Sequence, residues 1–385
     1  MKKEKILIGL SGGVDSAVAA ALLLQQGYEV VGGFMKNYIS DTGNCTTYKD
    51  AEEAIKVANH LGIELLSFDL QKEYQERIID YIFDGYKKGI TPNPDVLCNS
   101  LIKFDVFLER AMEMGFDKIA TGHYARISDR HTEGSEAKGS IQREKRNLDS
   151  SLRSEGQDTP YQLLRGVDHN KDQSYFLAGL NQYQLSKSLF PLGGLEKGEV
   201  RELAKQFTLP NAERKDSQGL CFIGNVPIRE FLLQRFKKKE GDIITLEGKK
   251  VGTHQGAYFY TIGQKHGLGL NFKAYVYRID IKNNILYVTD KDNKELQSKS
   301  LIAKDWHWID ESIRIQKQDT TKHLNTLYCT GKIRYRQNPP VACTLELREE
   351  RIMEVIFDDP QRAVAPGQVF VAYDGEVCLG SGIIG

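Results

Sequence analysis

An apolar run, Ile6-Leu7-Ile8-Gly9-Leu10, leads into Ser11-Gly12-Gly13-Val14-Asp15-Ser16, and an Ala- and Leu-rich stretch continues to Gly27. A strand, a turn of small residues and a helix in that order leave few folds open to the chain. Such a turn lets successive backbone N–H groups converge on one point, and the helix N-terminus adds partial positive charge there. The loop is therefore built for an anion, phosphate above all. Ser11 and Ser16 have hydroxyls to donate, and Asp15 has a carboxylate for a magnesium ion. No Gly-Lys-Ser/Thr follows, so the loop lacks the lysine cradle that handles a transferable γ-phosphate.

The next hundred residues repeat the theme. Strands are expected over 29–35, 64–70 and 118–121, and helices over 71–87 and 101–114. Between them, Thr47–Leu61 carries Ala51, Ala54, Ile55, Ala58 and Leu61 at helical spacing and is closed by Gly62. Alternating units with continuous apolar strands predict an α/β domain whose parallel sheet is covered on both faces. Ligands of such sheets sit beyond the C-terminal ends of the strands. The last of these strands ends in Gly122-His123-Tyr124. The stretch 128–160 holds Ala137, Ile141, Leu148 and Leu152 as its only apolar residues, too few for a core, which predicts a mobile surface insertion. Helical pattern resumes over 173–207 and 228–236. From about Gly241 short apolar runs separated by turns such as Asn283-Asn284 and Asp374-Gly375 predict a small β domain and then a β-barrel. The chain so divides into a nucleotide domain (1–215), a central domain (216–282) and a C-terminal barrel (283–385).

The 52 basic and 52 acidic residues cancel, which excludes a uniformly basic nucleic-acid coat but not a local basic face. Residues 1–127 hold 14 Lys/Arg against 18 Asp/Glu, and 197–239 hold 10 against 5. No apolar run nears the roughly 18 residues of a membrane span, and the charged start at Met1-Lys2-Lys3-Glu4-Lys5 runs straight into a strand. A cytoplasmic protein with reduced thiols is expected. Its six cysteines include no C-x-x-C pair, so each is judged singly. Cys98 follows Thr91-Pro92-Asn93-Pro94-Asp95-Val96-Leu97, a proline-stiffened loop, and is expected near the N-terminus of a helix, where a thiolate is favoured. Cys221 lies in Glu213-Arg214-Lys215-Asp216-Ser217-Gln218-Gly219-Leu220-Cys221, where Arg214 and Lys215 raise the local potential. A lone cysteine is more often a small buried hydrophobe; two in polar loops favour sulfur chemistry. Cys329, Cys343 and Cys378 fall on β segments as core residues, and Cys45 is unassigned. Arg334-Tyr335-Arg336 combines charge with a stacking surface suited to RNA, or is a solvated strand edge; Lys237-Lys238-Lys239 is a solvated helix end or a phosphate contact.

The loop Ser11–Ser16 resembles the signature of the PP-loop ATP pyrophosphatases. The ordered set formed by this loop, Asn93–Cys98, Gly122-His123-Tyr124, Lys171-Asp172-Gln173-Ser174-Tyr175, Asp216–Cys221, Thr261-Ile262-Gly263-Gln264-Lys265 and Ala365-Pro366-Gly367-Gln368 resembles that of the bacterial tRNA-specific 2-thiouridylases. The resemblance spans nearly the whole chain; only 128–160 is foreign to it. It implies a PP-loop domain, a small central domain and a C-terminal β-barrel gripping tRNA. It implies that ATP adenylylates O2 of the wobble uridine and that a persulfide on Cys221 supplies sulfur, with Cys98 as nucleophile and a Cys98–Cys221 disulfide as an intermediate. Whether Cys98 attacks the persulfide or frees hydrogen sulfide stays open. By the same mapping Gly9, Leu10, Ser11, Gly12, Gly13, Val14, Asp15, Ser16, Met35 and Gly122 contact ATP, and Asn93, Pro94 and Asp95 hold the target base, Asp95 also serving as acid or base. His123, Lys171, Asp172, Gln173, Arg334, Tyr335 and Gln368 fall at tRNA-contacting positions. The partners implied are tRNAs for Lys, Glu and Gln and a cysteine desulfurase or relay protein as sulfur donor, acting on a monomer away from membranes. Two other readings compete. A PP-loop ligase amidating a small molecule needs neither the cysteine pair nor the terminal β domain. An RNA-binding protein with a relic nucleotide fold would carry a degraded phosphate loop, and this loop is intact.

Overall fold

The apolar strands of the N-terminal region have no wet face, and they assemble accordingly. In the computed structural model, which describes residues 3–38, 47–129, 161–215, 226–313 and 326–385, β1 (Lys5–Gly9), β2 (Glu29–Lys36), β3 (Leu65–Asp69) and β4 (Lys118–Ala120) form a parallel sheet in the order β3-β2-β1-β4, with Ser188–Leu189 added beside β4. Ile6, Leu7 and Ile8 of the central strand have no exposed surface. Ile6, Ile8 and Leu10 pack with Val14, Ala17 and Val18 of α1 (Val14–Gln25) on one face. Leu7, Val31, Met35 and Phe68 pack on the other, against the helical runs 71–87 and 94–113. The chain leaves β1 toward β2 and returns to the opposite edge as β4. The topological switch point, where such sheets bind ligands, therefore lies at the end of β1, at Ser11–Ser16.

Two helices differ from expectation. The run expected from 101 starts at Pro94, because Asn93 caps it through a bond from the Val96 N–H at 3.4 Å and Pro94 takes the first helical position, where a missing N–H costs nothing. Cys98 thus sits inside the helix, a turn past its start, where the macrodipole has largely faded. The stretch 173–207 is not one helix. It breaks into Ser174–Leu177, Gln182–Ser186, the strand Ser188–Leu189 and Lys197–Gln206. Asn181 starts a new helix through a reciprocal capping box with Gln184, and Pro191-Leu192-Gly193-Gly194 cannot continue one.

The strands Gly241–Thr245, Lys250–His254, Tyr275–Asp280 and Ile285–Thr289 make the central sheet. Ile285–Thr289, assigned from sequence to the barrel, pairs parallel with Gly241–Thr245 and belongs to this sheet. The C-terminal barrel closes on itself. Gln297–Trp308, Ile352–Arg362, Val341–Glu349, Thr326–Lys332, Val369–Asp374 and Val377–Ile384 follow in that order, and the last pairs back to the first. A hairpin from the N-terminal domain, Ala125–Asp129 with Tyr161–Arg165, extends the barrel sheet through pairing of Leu163 and Leu164 with Cys378 and Val377. Cys343 and Cys378 are core residues of the barrel region, as expected, and Cys329 is half-buried. Most of the insertion at 128–160 lies outside the described residues, as do Cys45 and Cys221. No described helix is long and apolar enough to cross a membrane.

Candidate functional site

The phosphate loop is preformed by its own hydroxyls. The Ser16 Oγ accepts from the Ser11 N–H at 3.2 Å and donates to the Gly13 carbonyl at 3.1 Å, and the two serine hydroxyls lie 3.3 Å apart. Gly13 begins α1 without a side-chain cap, so the first-turn N–H groups are left for an outside acceptor. Gly12 has φ +76°, in the left-handed region that suits glycine. Its carbonyl accepts from both Asn211 Nδ2 and Arg214 Nη1, each at 2.9 Å, and Arg214 also pairs with Asp50. Arg214 was expected to serve Cys221. It holds the outer side of the phosphate loop instead, and thereby fastens the stem of the Cys221 segment to that loop.

Asp15 reaches across to the end of β4. Its Oδ1 accepts from the Tyr124 hydroxyl at 2.8 Å and lies 2.6 Å from Lys197 Nζ. Gly122 packs so tightly on the loop that a Cβ there would lie 2.8 Å from the Asp15 carbonyl carbon and from the Ser16 nitrogen. Tyr124 in turn exchanges bonds with Gln173, whose side chain accepts from the Tyr124 N–H at 3.0 Å while its own N–H donates to the Tyr124 carbonyl at 2.9 Å.

The loop before Cys98 is where the three parts of the molecule meet. The Thr91 N–H donates to the Pro366 carbonyl at 2.8 Å, and Gln368 Nε2 donates to the Thr91 carbonyl at 2.9 Å. The Thr91 hydroxyl also bonds that of Thr261, from the central domain. Gly367, at φ +89°, sits against the Thr91 backbone where a Cβ would come within 3.0 Å. Asn93 bonds the Tyr175 hydroxyl, which donates to the Val369 carbonyl of the barrel at 2.7 Å. Cys98 is fully buried in the apolar cluster that contains Val96, Ile102 and Leu177. Asp95, one helical turn earlier, is half-buried.

The residues expected at an RNA surface divide into two groups. Arg334 is exposed, Lys171 half-buried, and Tyr335 half-buried with its ring 4.2 Å from that of Phe176. Burial pushes the Tyr335 phenol up to about 12. His123 is enclosed by Phe104 and Phe190 and bonded to the Thr121 hydroxyl at 2.7 Å; burial, aided by Lys103, holds its imidazole neutral. Asp172 faces inward, against the expected RNA contact. It is 2% exposed, with Arg165 Nε at 3.0 Å and Lys332 Nζ at 3.4 Å, and it accepts from the Gly166 and Ser174 N–H groups at 3.1 Å each. Burial alone would raise this carboxyl, but the bonds from Ser174 and the charges of Lys332 and Arg165 outweigh it and hold the group below its ordinary value. Gln368, also expected at RNA, is engaged with Thr91.

Sequence reasoning missed Lys197 as the partner of Asp15, Asn211 and Arg214 as holders of Gly12, and Lys332 as the counter-charge of Asp172. None has a local signal, because each partner is remote in the chain. No cluster of three or more potential metal ligands occurs among the described residues. Asp15 has its Oδ1 engaged by Tyr124 and Lys197, which leaves its Oδ2 for magnesium, an ion that takes its other ligands from phosphates and water.

Residues 4–225 match the family described as tRNA methyl transferase HUP domain, 229–290 that of the tRNA methyl transferase PRC-barrel domain, and 298–384 that of the aminomethyltransferase β-barrel domain. A protein of Alkaliphilus oremlandii named tRNA-specific 2-thiouridylase MnmA is 43% identical over 100% of this chain and 97% of its own length. Proteins of the same name from Listeria monocytogenes and Staphylococcus aureus are 43% and 42% identical, over 99% and 100% of this chain and 94% and 95% of theirs. Among solved structures, a 4-thiouridine synthetase–RNA complex with bound ATP is 17% identical with a TM-score of 0.35, covering 60% of this chain and 50% of that one. The U34-tRNA thiolase NcsA of Methanococcus maripaludis is 18% identical with a TM-score of 0.32, covering 54% and 57%.

Proposed function

The chain belongs to the tRNA-specific 2-thiouridylase family, and on that premise we propose that it catalyses the ATP-dependent 2-thiolation of the wobble uridine of tRNA in the cytoplasm. The observation that carries this reading is the continuity of its motifs. From Asp15 through Tyr124 and Gln173 to Tyr175 and Asn93, each motif touches the next, and the barrel joins the chain at Val369, Pro366 and Gln368. A grip on tRNA at the barrel is thereby tied to the nucleotide loop and to the helix bearing Cys98. The domain descriptions speak of methyl transfer, whereas the full-length relatives are named for 2-thiolation; an anion-binding loop at the switch point favours the latter.

A uracil carbonyl oxygen is a poor leaving group, and AMP a good one. The uridine O2 attacks the α-phosphate of ATP held on Ser11–Ser16, and pyrophosphate leaves. The terminal sulfur of a Cys221 persulfide attacks C2 and AMP leaves. The Cys98 thiolate then takes Cys221 Sγ, so that the sulfur–sulfur bond breaks toward the base. The products are 2-thiouridine and a Cys98–Cys221 disulfide, which an external dithiol reduces. If Cys98 frees hydrogen sulfide before the attack, the same disulfide remains. Asn93 and Asp95 frame the base, and Asp95 moves the proton. Lys171 and Arg334 supply phosphate contacts. Asp15 is the residue that would hold magnesium, which supplies charge neutralisation on the pyrophosphate when bound.

The test is to incubate the protein with ATP, magnesium, a persulfide donor and unmodified tRNA for Lys, Glu or Gln, and to digest the RNA. The expected products are 2-thiouridine, AMP and pyrophosphate in equal amounts; a methylated nucleoside, or none, would sink the proposal. A Gly122→Ala variant is expected to lose about 10²-fold in thiolation rate, because its methyl group displaces the backbone of the phosphate loop and misplacing reacting groups by about 1 Å costs that much. Undiminished ATP affinity and turnover in this variant would show that nothing binds where Gly122 meets the loop.

A further inference from the structure

The barrel strands Thr326–Lys332 and Val341–Glu349 pair antiparallel, and their register sets Cys329 directly opposite Cys343. The two Sγ atoms lie 3.7 Å apart in a sulfur–sulfur hydrogen bond, and both thiols are free. Directly opposed residues of an antiparallel pair have Cα atoms about 4.5 or 5.5 Å apart, within the span that a disulfide bridges. The sulfurs can therefore bond by side-chain rotation while the ladder stays intact. Cys343 is 3% exposed and has Phe357 opposite it on its other side, whereas Cys329 is half-buried. One sulfur is open to a reagent and the other stands behind it. Packing does not demand this pair: two positions along the same strands the place is filled by Leu327 opposite Leu345.

The dithiol sits two rungs from the end of its ladder. Thr330 opposes Ala342 and Gly331 opposes Val341, and the chain between them, 332–340, carries Arg334-Tyr335-Arg336. The loop is held at Lys332 by Asp172 and inside by Gln337, whose Oε1 accepts from the Ile333 N–H at 2.9 Å and whose Nε2 donates to Gln361 Oε1 at 3.0 Å. A bond between Cys329 and Cys343 would close the base of this loop covalently. The bond to Cys343, then burial, pushes the Cys329 thiol well up, so the pair keeps its protons at neutral pH and closes over minutes to hours rather than at once.

We propose that Cys329 and Cys343 are a redox-active dithiol that closes in exchange with a small-molecule disulfide of the glutathione class, and that closure clamps the base of the loop 332–340. The Cys329 thiolate attacks one sulfur of the small disulfide and releases the first glutathione thiol. The Cys343 thiolate then attacks Cys329 Sγ and releases the second. The protein gives up two electrons and two protons, and the small disulfide takes them.

The test incubates the reduced full-length protein with oxidised glutathione and digests it without reduction. The expected result is one peptide pair joined through Cys329 and Cys343 and separated again by dithiothreitol. A Cys343→Ser variant is expected to stop at a glutathione adduct on Cys329, since no second sulfur resolves it. An unreacted pair after a day, an adduct that persists on Cys329 of the unsubstituted protein, or a bond from either sulfur to Cys45 or Cys221 instead would overturn the proposal. In the closed form the backbone amides of 330–341 are expected to exchange with solvent about ten- to a hundredfold more slowly, because the link suppresses fraying of the ladder end. Unchanged exchange would overturn the clamp. The effect on RNA rests on the reading of Arg334 as a tRNA contact. On that reading closure removes part of the ordering cost of binding, and tRNA is expected to bind about three- to tenfold more tightly. Unchanged tRNA affinity in a protein whose loop has become protected would take the loop out of the tRNA grip and leave the dithiol standing. Peptide mapping and exchange on the unsubstituted protein decide the matter even where the variant does not fold.

Discussion

A Cys98→Ala variant is expected to form 2-thiouridine at less than about one thousandth of the normal rate while still releasing pyrophosphate from ATP in the presence of tRNA, because removing a nucleophile stops its step and leaves binding and activation in place. The structure makes this a sharp test. Cys98 is fully buried among apolar side chains, which is how a packing cysteine looks. Two observations argue for more. The helix that bears it is capped by Asn93, and the loop that leads into it is held at Thr91 by Pro366 and Gln368, contacts that packing of one small side chain does not require. The stem of the Cys221 segment is bonded to the phosphate loop through Arg214, which ties the chain that leads to Cys221 to the same end of the sheet. Burial also suits the chemistry, since an activated uridine must be kept from water until sulfur arrives. Losing one sulfur atom from the core costs about 1 kcal/mol, so the variant folds. Cys221→Ser is expected to show the same block. Thiolation by Cys98→Ala within tenfold of normal would return Cys98 to the core as a mere space-filler.

What the sequence disclosed was what lies contiguous within it. Ser11–Ser16 is six adjacent residues between a strand and a helix, and every part of its anion-binding logic is local, so it was legible before any coordinates. The parallel sheet was equally so, because strands buried on both faces have no alternation to mistake. The start of the Cys98 helix was misplaced although the signal was present: Asn93-Pro94 is a cap followed by a first-turn proline, and reading the prolines as loop stiffeners hid it. The remaining differences were non-local. Ile285–Thr289 looks like any barrel strand until it pairs with Gly241–Thr245. The hairpin Ala125–Asp129 with Tyr161–Arg165 belongs by sequence to the first domain and by hydrogen bonding to the barrel. Lys171-Asp172-Gln173 reads as a polar turn open to RNA, and nothing nearby shows that Lys332, 160 positions away, claims the carboxylate at its centre.

That carboxylate supports the second large prediction. Replacing Asp172 by Asn is expected to destabilise the protein by about 3–5 kcal/mol, because Arg165 and Lys332 would remain buried without their counter-charge. A calorimetric scan should show the melting temperature falling by on the order of 10 °C. A residue that only touches tRNA would leave the melting temperature of the free protein unchanged, so the scan separates the two roles. The pH dependence gives an independent reading. The folded carboxyl is held below its ordinary value of 3.8, so it contributes stability that is fully present above about pH 4 and is lost as the pH falls below that toward the folded value. The Asn variant should lack this contribution to acid lability and unfold with a shallower pH profile below 4. Pairing Asp172→Asn with Lys332→Met should restore part of the loss, since the second change removes one of the stranded charges. Recovery of stability without recovery of thiolation would mean that the buried link does more than fasten two domains: through Gln173 and Tyr124 it sets the position of Asp15, and with it the loop Ser11–Ser16.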